Sequence, residues 1–409
     1  MTRTTTTTTT ATTEPAVPPP AGEGAPIHTT VDVAPRAQPH PDHADDLAPW
    51  AGRRVAVALS GGVDSAVAAW RLKAAGADVV GLALRLHDPD PENPLAPRAC
   101  CPPDDLQDAR RVAEALDVPF YVVDARGAFE DQVVSPFVRA YLEGRTPNPC
   151  VGCNSFVKLE RLVRRARALG CEALATGHYA RLRPAPGGLR LLKGVDEDKD
   201  QSYFLFAVAP ELLAHLLFPL GAWSKARVRD AALAAGLPVA HKLESQEVCF
   251  VGGAGAGRFV MRRPEAAGDH AGDIVDARGE VLGHHSGVMG FTVGQRKGIG
   301  IAARTPLHVL GIDAAARQVV VGPPEALERG GLVAERAVWP AGQPEAPFEA
   351  NVRIRYRDPG TPGTVSPGPG GAVQVTFHRP ARAVAPGQAV VFERGDEVVG
   401  GAWIREGVA

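Results

Sequence analysis

The chain has 409 residues, 45% of them hydrophobic and 22% charged, the composition of an ordinary folded protein with room for two or three cores. A net charge of −2 gives no global signal for nucleic acid, so any such site must come from a local basic patch. No run approaches eighteen apolar residues, and six cysteines are too few for a disulfide scaffold, which argues against a membrane span and for a reducing, cytoplasmic setting.

Residues 1–49 open with a threonine run, Thr4 to Thr10, and continue rich in proline and alanine. Such a segment cannot bury enough apolar surface to offset its ordering entropy, and it reads as a disordered tail. It lacks the apolar core of a secretory signal, and its few arginines argue against an organelle transit peptide.

From Arg53 the texture changes. VAVAL (55–59) reads as a buried strand and VDSAVAAWRLKAAG (63–76) as a helix closed by glycine. Strand 78–84, helix 104–116, strand 119–124 and helix 128–143 follow. Helix 155–169 then carries an apolar stripe of Phe156, Leu159, Val163 and Ala166, and 173–178 is a fourth strand. This alternation predicts an α/β fold with a parallel, doubly wound sheet over 50–253, with further helices at 210–217 and 224–236. Beyond it the chain turns to short alternating strands rich in glycine and proline. These predict a small central β domain over 254–325 and a β-barrel-like domain over 326–409.

The stretch LSGGVDSA (59–66) joins the first strand to the first helix. Ser60, Gly61 and Gly62 let backbone approach a ligand, and the helix start aims free N–H groups and its positive dipole end at an anion. Ser60 and Ser65 add hydroxyls, and Asp64 can hold Mg²⁺ against phosphates. The loop is neither a Walker A motif nor a dinucleotide fingerprint. SGGVDS in this position resembles the pyrophosphate loop of the ATP-pyrophosphatase superfamily, which implies ATP, Mg²⁺ and an adenylated intermediate. By that resemblance Ala58 to Ser65 (Ala58, Leu59, Ser60, Gly61, Gly62, Val63, Asp64, Ser65) bind the nucleotide. Leu84 lines the adenine pocket, and Gly177 in ATGHYA (175–180) approaches the nucleotide from the same sheet edge. His178 alone reads as a core or capping histidine.

Cys150 and Cys153 form a Cys-x-x-Cys in TPNPCVGCN (146–154). Zinc wants two separated pairs, and the other pair, Cys100–Cys101, is adjacent and awkward for a tetrahedral ion. Thioredoxin-type exchange wants a preceding strand rather than TPNP. Sulfur transfer suits the stretch better, with Asn154 and Ser155 expected to cap helix 155–169, Cys153 at its positive end and Lys158 nearby. Cys171 reads as a packing residue. Cys249, in LESQEVCFVGG (243–253), lies in a loop near the end of the α/β domain.

SGGVDS, TPNPxxxCN, ATGHYA, DKDQSYFL (198–205), SQEVCFVG and GQRKGIGI (294–301) occur in one order. That series closely resembles the tRNA-specific 2-thiouridylases and spans nearly all of the chain after residue 50. The resemblance implies replacement of the 2-oxygen of the wobble uridine by sulfur in tRNAs for Lys, Glu and Gln, with a cysteine desulfurase or a sulfur-carrier protein as donor. It makes Cys153 the nucleophile and Cys249 the persulfide carrier, joined in a transient disulfide. It assigns tRNA contacts to Asn148, Pro149, Cys150, Lys199, Asp200, Gln201, Arg355 and Tyr356.

Many family members carry aspartate where this chain has Cys150. The substitution leaves three cysteines, Cys150, Cys153 and Cys249, as a ligand set for a 4Fe–4S iron–sulfur cluster, which is the alternative to a persulfide relay. In VRIRYRDP (352–359), Arg353, Arg355 and Arg357 are expected on one strand face, where an anion would compensate them. The rival reading is another adenylating ligase or an amidotransferase with the same loop, which needs neither the aligned cysteines nor the basic strand.

Overall fold

The computed structural model describes residues 46–88, 103–186, 188–243, 248–253 and 255–409. Cys100, Cys101 and the expected tail up to residue 45 lie outside the described residues. Among the described residues no helix is long and apolar enough to cross a membrane.

The α/β part begins with β1 (Arg54–Ala58), α1 (Val63–Ala74), β2 (Asp78–Arg85), α2 (Pro103–Ala115) and β3 (Phe120–Asp124). A long helix follows as α3 (Arg126–Phe129), a π-helical turn (Glu130–Val134) and α4 (Ser135–Leu142). A second comprises α5 (Pro149–Gly152), a π-helical turn (Cys153–Lys158) and α6 (Leu159–Ala168). Then come β4 (Ala173–Ala175), a hairpin of β5 (Ala180–Ala185) and β6 (Gly188–Lys193), α7 (Pro210–Leu213), β7 (Leu216–Leu217) and α8 (Lys225–Ala234). The expected helix 210–217 therefore stops at Leu213, because Leu216 and Leu217 pair with Leu174 and Ala175 as an edge strand.

The sheet has the order β3-β2-β1-β4-β7 with every pairing parallel. From β1 the chain winds outward through β2 and β3, then returns to place β4 on the other side. The order reverses between β1 and β4, so their carboxyl ends flank the crevice where open α/β sheets bind ligands. Two cores cover the faces. One gathers Leu72, Val112 and Trp223, and the other Phe129, Phe137, Val157 and Tyr203.

The central β domain follows α9 (Ala256–Met261) and contains β8 (Gly272–Val275), β9 (Val281–His285), β10 (His308–Asp313) and β11 (Gln318–Gly322), ordered β10-β11-β8-β9. The last six strands are β12 (Glu328–Val338), β13 (Phe348–Arg353), β14 (Thr361–Pro367), β15 (Val373–Arg382), β16 (Ala389–Arg394) and β17 (Glu397–Val408). They pair in the cycle β12-β15-β14-β13-β16-β17, and β17 returns to β12, which closes a barrel. The β5–β6 hairpin, although within 50–253, adds to this sheet through β17.

Candidate active site at the carboxyl edge of the parallel sheet

The phosphate loop forms as its sequence dictates. Gly61 takes the left-handed conformation, φ +75°, which most side chains avoid, and a Cβ there would lie 2.2 Å from the Asp105 carbonyl oxygen. Ser60 N–H donates to Ser65 Oγ at 3.1 Å, and Ser65 Oγ donates to the Gly62 carbonyl at 3.0 Å. Among the described residues, the N–H groups of Gly61, Gly62, Val63, Asp64 and Ser65 have no hydrogen-bond acceptor. Consecutive unpaired donors at a helix start form an anion nest. This donor set fits the phosphates of a nucleoside triphosphate.

Gly177 sits directly across the crevice. A Cβ there would lie 2.7 Å from Ser65 N and 2.9 Å from the Asp64 carbonyl carbon. Glycine is thus required for the exit of β4 to lie against the first turn of α1, a packing reason that the sequence reading did not foresee. Leu84 is buried near the end of β2, in the core that also holds Leu86 and Phe129.

Asp64 differs from expectation in its company. Lys225 Nζ lies 2.6 Å from its Oδ1, and the Tyr179 hydroxyl donates to the same oxygen at 2.8 Å. Asp64 is the loop carboxylate that would carry Mg²⁺ beside phosphates, and here a buried lysine supplies its cation. Lys225 stands outside every motif; an ammonium at the first position of α8, a helix capped by Ser224, gives no sequence signal.

His178 is held neutral. Burial, reinforced by the Lys158 ammonium, pushes its imidazole down to about 4, while Thr176 Oγ1 lies 2.8 Å from Nδ1. Its folded pKa is below the unfolded value of about 6.5, so its stability contribution is complete above that pH and is lost as pH falls toward 4. A urea titration should lose at most about 3 kcal/mol over that window beyond the loss seen in His178→Gln. Parallel curves for the two proteins would refute the assignment.

The helix of Cys153 starts earlier than expected. Asn148 is its N-cap and Pro149 its first residue, since proline there has no N–H to leave unsatisfied. Asn154 and Ser155 are therefore interior and cap nothing, and Cys153 lies a full turn inside, buried at the start of the π-turn. Cys150, partly exposed in the first turn, is the thiol closer to the dipole. Asn154 Oδ1 and Ser155 Oγ are both buried with no hydrogen-bond partner, beside the expected nucleophile. Single π-turns of this kind concentrate at functional sites.

The TPNP stretch is fixed where the three parts of the chain meet. Thr146 N–H donates to the Pro386 carbonyl at 2.9 Å, Gln388 Nε2 donates to the Thr146 carbonyl at 2.9 Å, and Thr146 Oγ1 donates to Thr292 Oγ1 at 3.3 Å. Helix α5, which Asn148 caps, packs against the turn of Ser202–Phe204, and the Tyr203 hydroxyl donates to the Ala389 carbonyl at 2.8 Å. Tyr356 packs on Phe204 with ring centroids 4.4 Å apart and on Tyr203 at 5.9 Å. Three sequence-distant stretches named for tRNA contact thus converge around Tyr203 and Phe204.

Within that convergence some expected contacts have other duties. Asp200 is buried, and its carboxylate accepts from Gly194 N–H and Ser202 N–H at 3.1 Å and from Ser202 Oγ at 3.0 Å. It is a structural carboxylate rather than a surface contact. Gln201 Oε1 accepts from Tyr179 N–H at 3.1 Å, which ties the DKDQSYFL stretch to ATGHYA. Lys199 is partly exposed beside them.

Strand β13 ends at Arg353, and 354–357 form a bend and turn, so the three arginines do not share a strand face. Arg353 turns inward, its Nη1 2.8 Å from Glu393 Oε1 and 3.4 Å from Asp200 Oδ2. Arg355 and Arg357 remain exposed.

Cys249 is partly buried, and Phe250 beside it seats in an aromatic cluster of Phe129, Phe137 and Phe259, at 5.5, 5.1 and 5.2 Å. Phe129 and Phe137 belong to the helix that packs against the Cys153 π-turn. Among the described residues no three His, Cys, Asp or Glu side chains are grouped to hold a metal ion. Cys150 and Cys153 share one helix, Cys153 buried and Cys150 partly exposed, and with Cys249 they form no such group, so the iron–sulfur alternative finds no ligand set here. Cys171 is buried too, and that burial pushes its thiol pKa up, as a packing residue requires.

The sheet order, the N–H nest at its switch point and the appended β domains define an α/β protein of the pyrophosphate-loop class. Family models match in chain order: the tRNA methyl transferase HUP domain over 53–253, the tRNA methyl transferase PRC-barrel domain over 263–323 and the aminomethyltransferase beta-barrel domain over 329–404. Relatives described as tRNA-specific 2-thiouridylase MnmA are similar over most of the chain. That of Geobacter metallireducens is 49% identical over 360 residues, covering 87% of this chain and 97% of its own. That of Geotalea uraniireducens is 49% identical, covering 87% and 96%, and that of Sorangium cellulosum 47%, covering 87% and 93%. The chain belongs to the tRNA-specific 2-thiouridylase family, as its motif series implied.

Proposed function

We propose that this protein is a cytosolic sulfurtransferase that uses ATP and Mg²⁺ to replace the 2-oxygen of the wobble uridine in tRNAs for Lys, Glu and Gln. The observation that carries the reading is a chain of contacts: Asp64 of the loop to Tyr179, Tyr179 to Gln201, and the adjoining Ser202–Phe204 turn to both α5 of the Cys153 helix and Tyr356. The nest would hold the triphosphate, and Asp64, now paired with Lys225, would be the loop's carboxylate for Mg²⁺, which would offset the phosphate charge. The uracil 2-oxygen attacks the α-phosphorus, pyrophosphate leaves, and the oxygen becomes a good leaving group as an adenylate.

Sulfur arrives as a persulfide on Cys249, supplied by a cysteine desulfurase or a carrier protein. Cys153 thiolate attacks the inner sulfur of Cys249, forming a disulfide and releasing the outer sulfur as sulfide. The sulfane sulfur gains two electrons and the two cysteines lose them. Sulfide adds to C2, AMP departs, and an external thiol reduces the disulfide. Chemistry on a base requires its extrusion into a pocket, and exposed Arg355 and half-buried Tyr356 suit the flanking backbone.

The family models carry methyl-transfer descriptions. We favour thiolation because the pyrophosphate loop and two thiols braced by one helix have no part in methyl transfer. The test is to incubate protein, unmodified tRNA transcript, ATP and a persulfide-loaded donor, then digest the RNA and weigh the nucleosides. The expected product is 2-thiouridine, with one AMP and one pyrophosphate each. A methylated base, or thiolation that ignores ATP, would sink the proposal.

A further inference from the structure

Lys242 lies outside every motif above, yet it stands where the phosphate loop meets α2. Its Nζ donates to the Gly61 carbonyl at 3.1 Å and forms ion pairs with Asp105 and Asp108. Burial works against its charge, but hydrogen bonds to the two carboxylates outweigh burial and raise the ammonium's pKa. Lys242 therefore stays a cation and a donor at neutral pH.

The bond to Gly61 has a geometric consequence. Across a trans peptide, the carbonyl of one residue and the N–H of the next point in opposite directions. Gly61–Gly62 is a peptide between two glycines, the linkage most free to flip. With the Gly61 carbonyl taken by Lys242 on the α2 side, the Gly62 N–H is turned to the opposite side, and it is one of the consecutive N–H groups without an acceptor.

We propose that Lys242 is a positioning residue: by holding the Gly61 carbonyl it sets the Gly61–Gly62 peptide to bind the pyrophosphate moiety of the nucleotide, without touching it. The proposal rests on the nucleotide reading above. It predicts a defect confined to ligands that use the nest.

The experiment is calorimetric titration of the full chain with ATP, pyrophosphate and AMP, using wild type, Lys242→Met, Lys242→Gln and Asp108→Asn. Losing one charge-assisted bond that orders the loop should weaken pyrophosphate and ATP about tenfold or more in both Lys242 variants, with AMP unchanged. Asp108→Asn, which leaves the Lys242–Gly61 bond in place, should keep wild-type pyrophosphate affinity. The proposal is overturned if the Lys242 variants bind pyrophosphate like wild type, or if Asp108→Asn loses as much as they do. Wild type that binds neither ATP nor pyrophosphate would instead bring down the nucleotide reading, and this proposal with it.

Discussion

Arg353→Met is expected to destabilise the protein by about 3–5 kcal/mol, because it leaves the buried Asp200 carboxylate without a cation and Glu393 with one fewer. Glu393 is 1% and Asp200 4% exposed, and Arg353 is the group that reaches both. Lys193, 2.5 Å from Glu393, and Asn351 remain as partners for Glu393, whereas among the described residues Asp200 retains the N–H groups of Gly194 and Ser202 and the Ser202 hydroxyl. Arg353 also binds the carbonyls of Tyr356 and Asp358 and so shapes the turn that presents Arg355 and Tyr356. Denaturant unfolding should show the loss, and tRNA affinity should fall while ATP affinity holds. A variant within 1 kcal/mol of wild type would mean that the pair contributes no more than a surface ion pair.

Cys153→Ser should abolish thiolation while leaving uridine-dependent pyrophosphate release intact. A serine hydroxyl is scarcely ionised at neutral pH, so it cannot strip the persulfide, whereas adenylation uses the loop and not the thiol. Cys249→Ser should give the same phenotype with a persulfide donor, since each cysteine supplies half of the disulfide. Mass spectrometry of wild type trapped after one turnover should find the Cys153–Cys249 bond. Thiolation at the wild-type rate in Cys153→Ser would remove this cysteine from the chemistry.

The phosphate loop was legible because its features are local. A strand, two glycines, two serines and a helix start are contiguous, and each acts through backbone it carries itself. The Cys153 helix was misjudged by one and a half turns for the same reason. Asn154 and Ser155 have strong capping propensity, but Pro149 starts the helix first, and the turn that holds these two packs against the α3–α4 helix. The arginines failed differently. Their alternation predicted a single charged face, yet the turn after β13 and two buried carboxylates drew Arg353 inward.

From sequence alone followed the parallel α/β sheet, the anion loop, the order of the three parts and the family, each encoded in short-range pattern or in motifs read along the chain. Only the tertiary structure decided that Lys225 neutralises Asp64, that Lys242 clamps Gly61, that Asp200 is a buried anchor and that the β5–β6 hairpin joins the barrel sheet. The Lys225–Asp64, Lys242–Gly61, Arg353–Asp200 and β6–β17 contacts each join residues more than 150 positions apart. A lysine or aspartate carries no mark of its partner until folding removes both from water and makes the pairing compulsory.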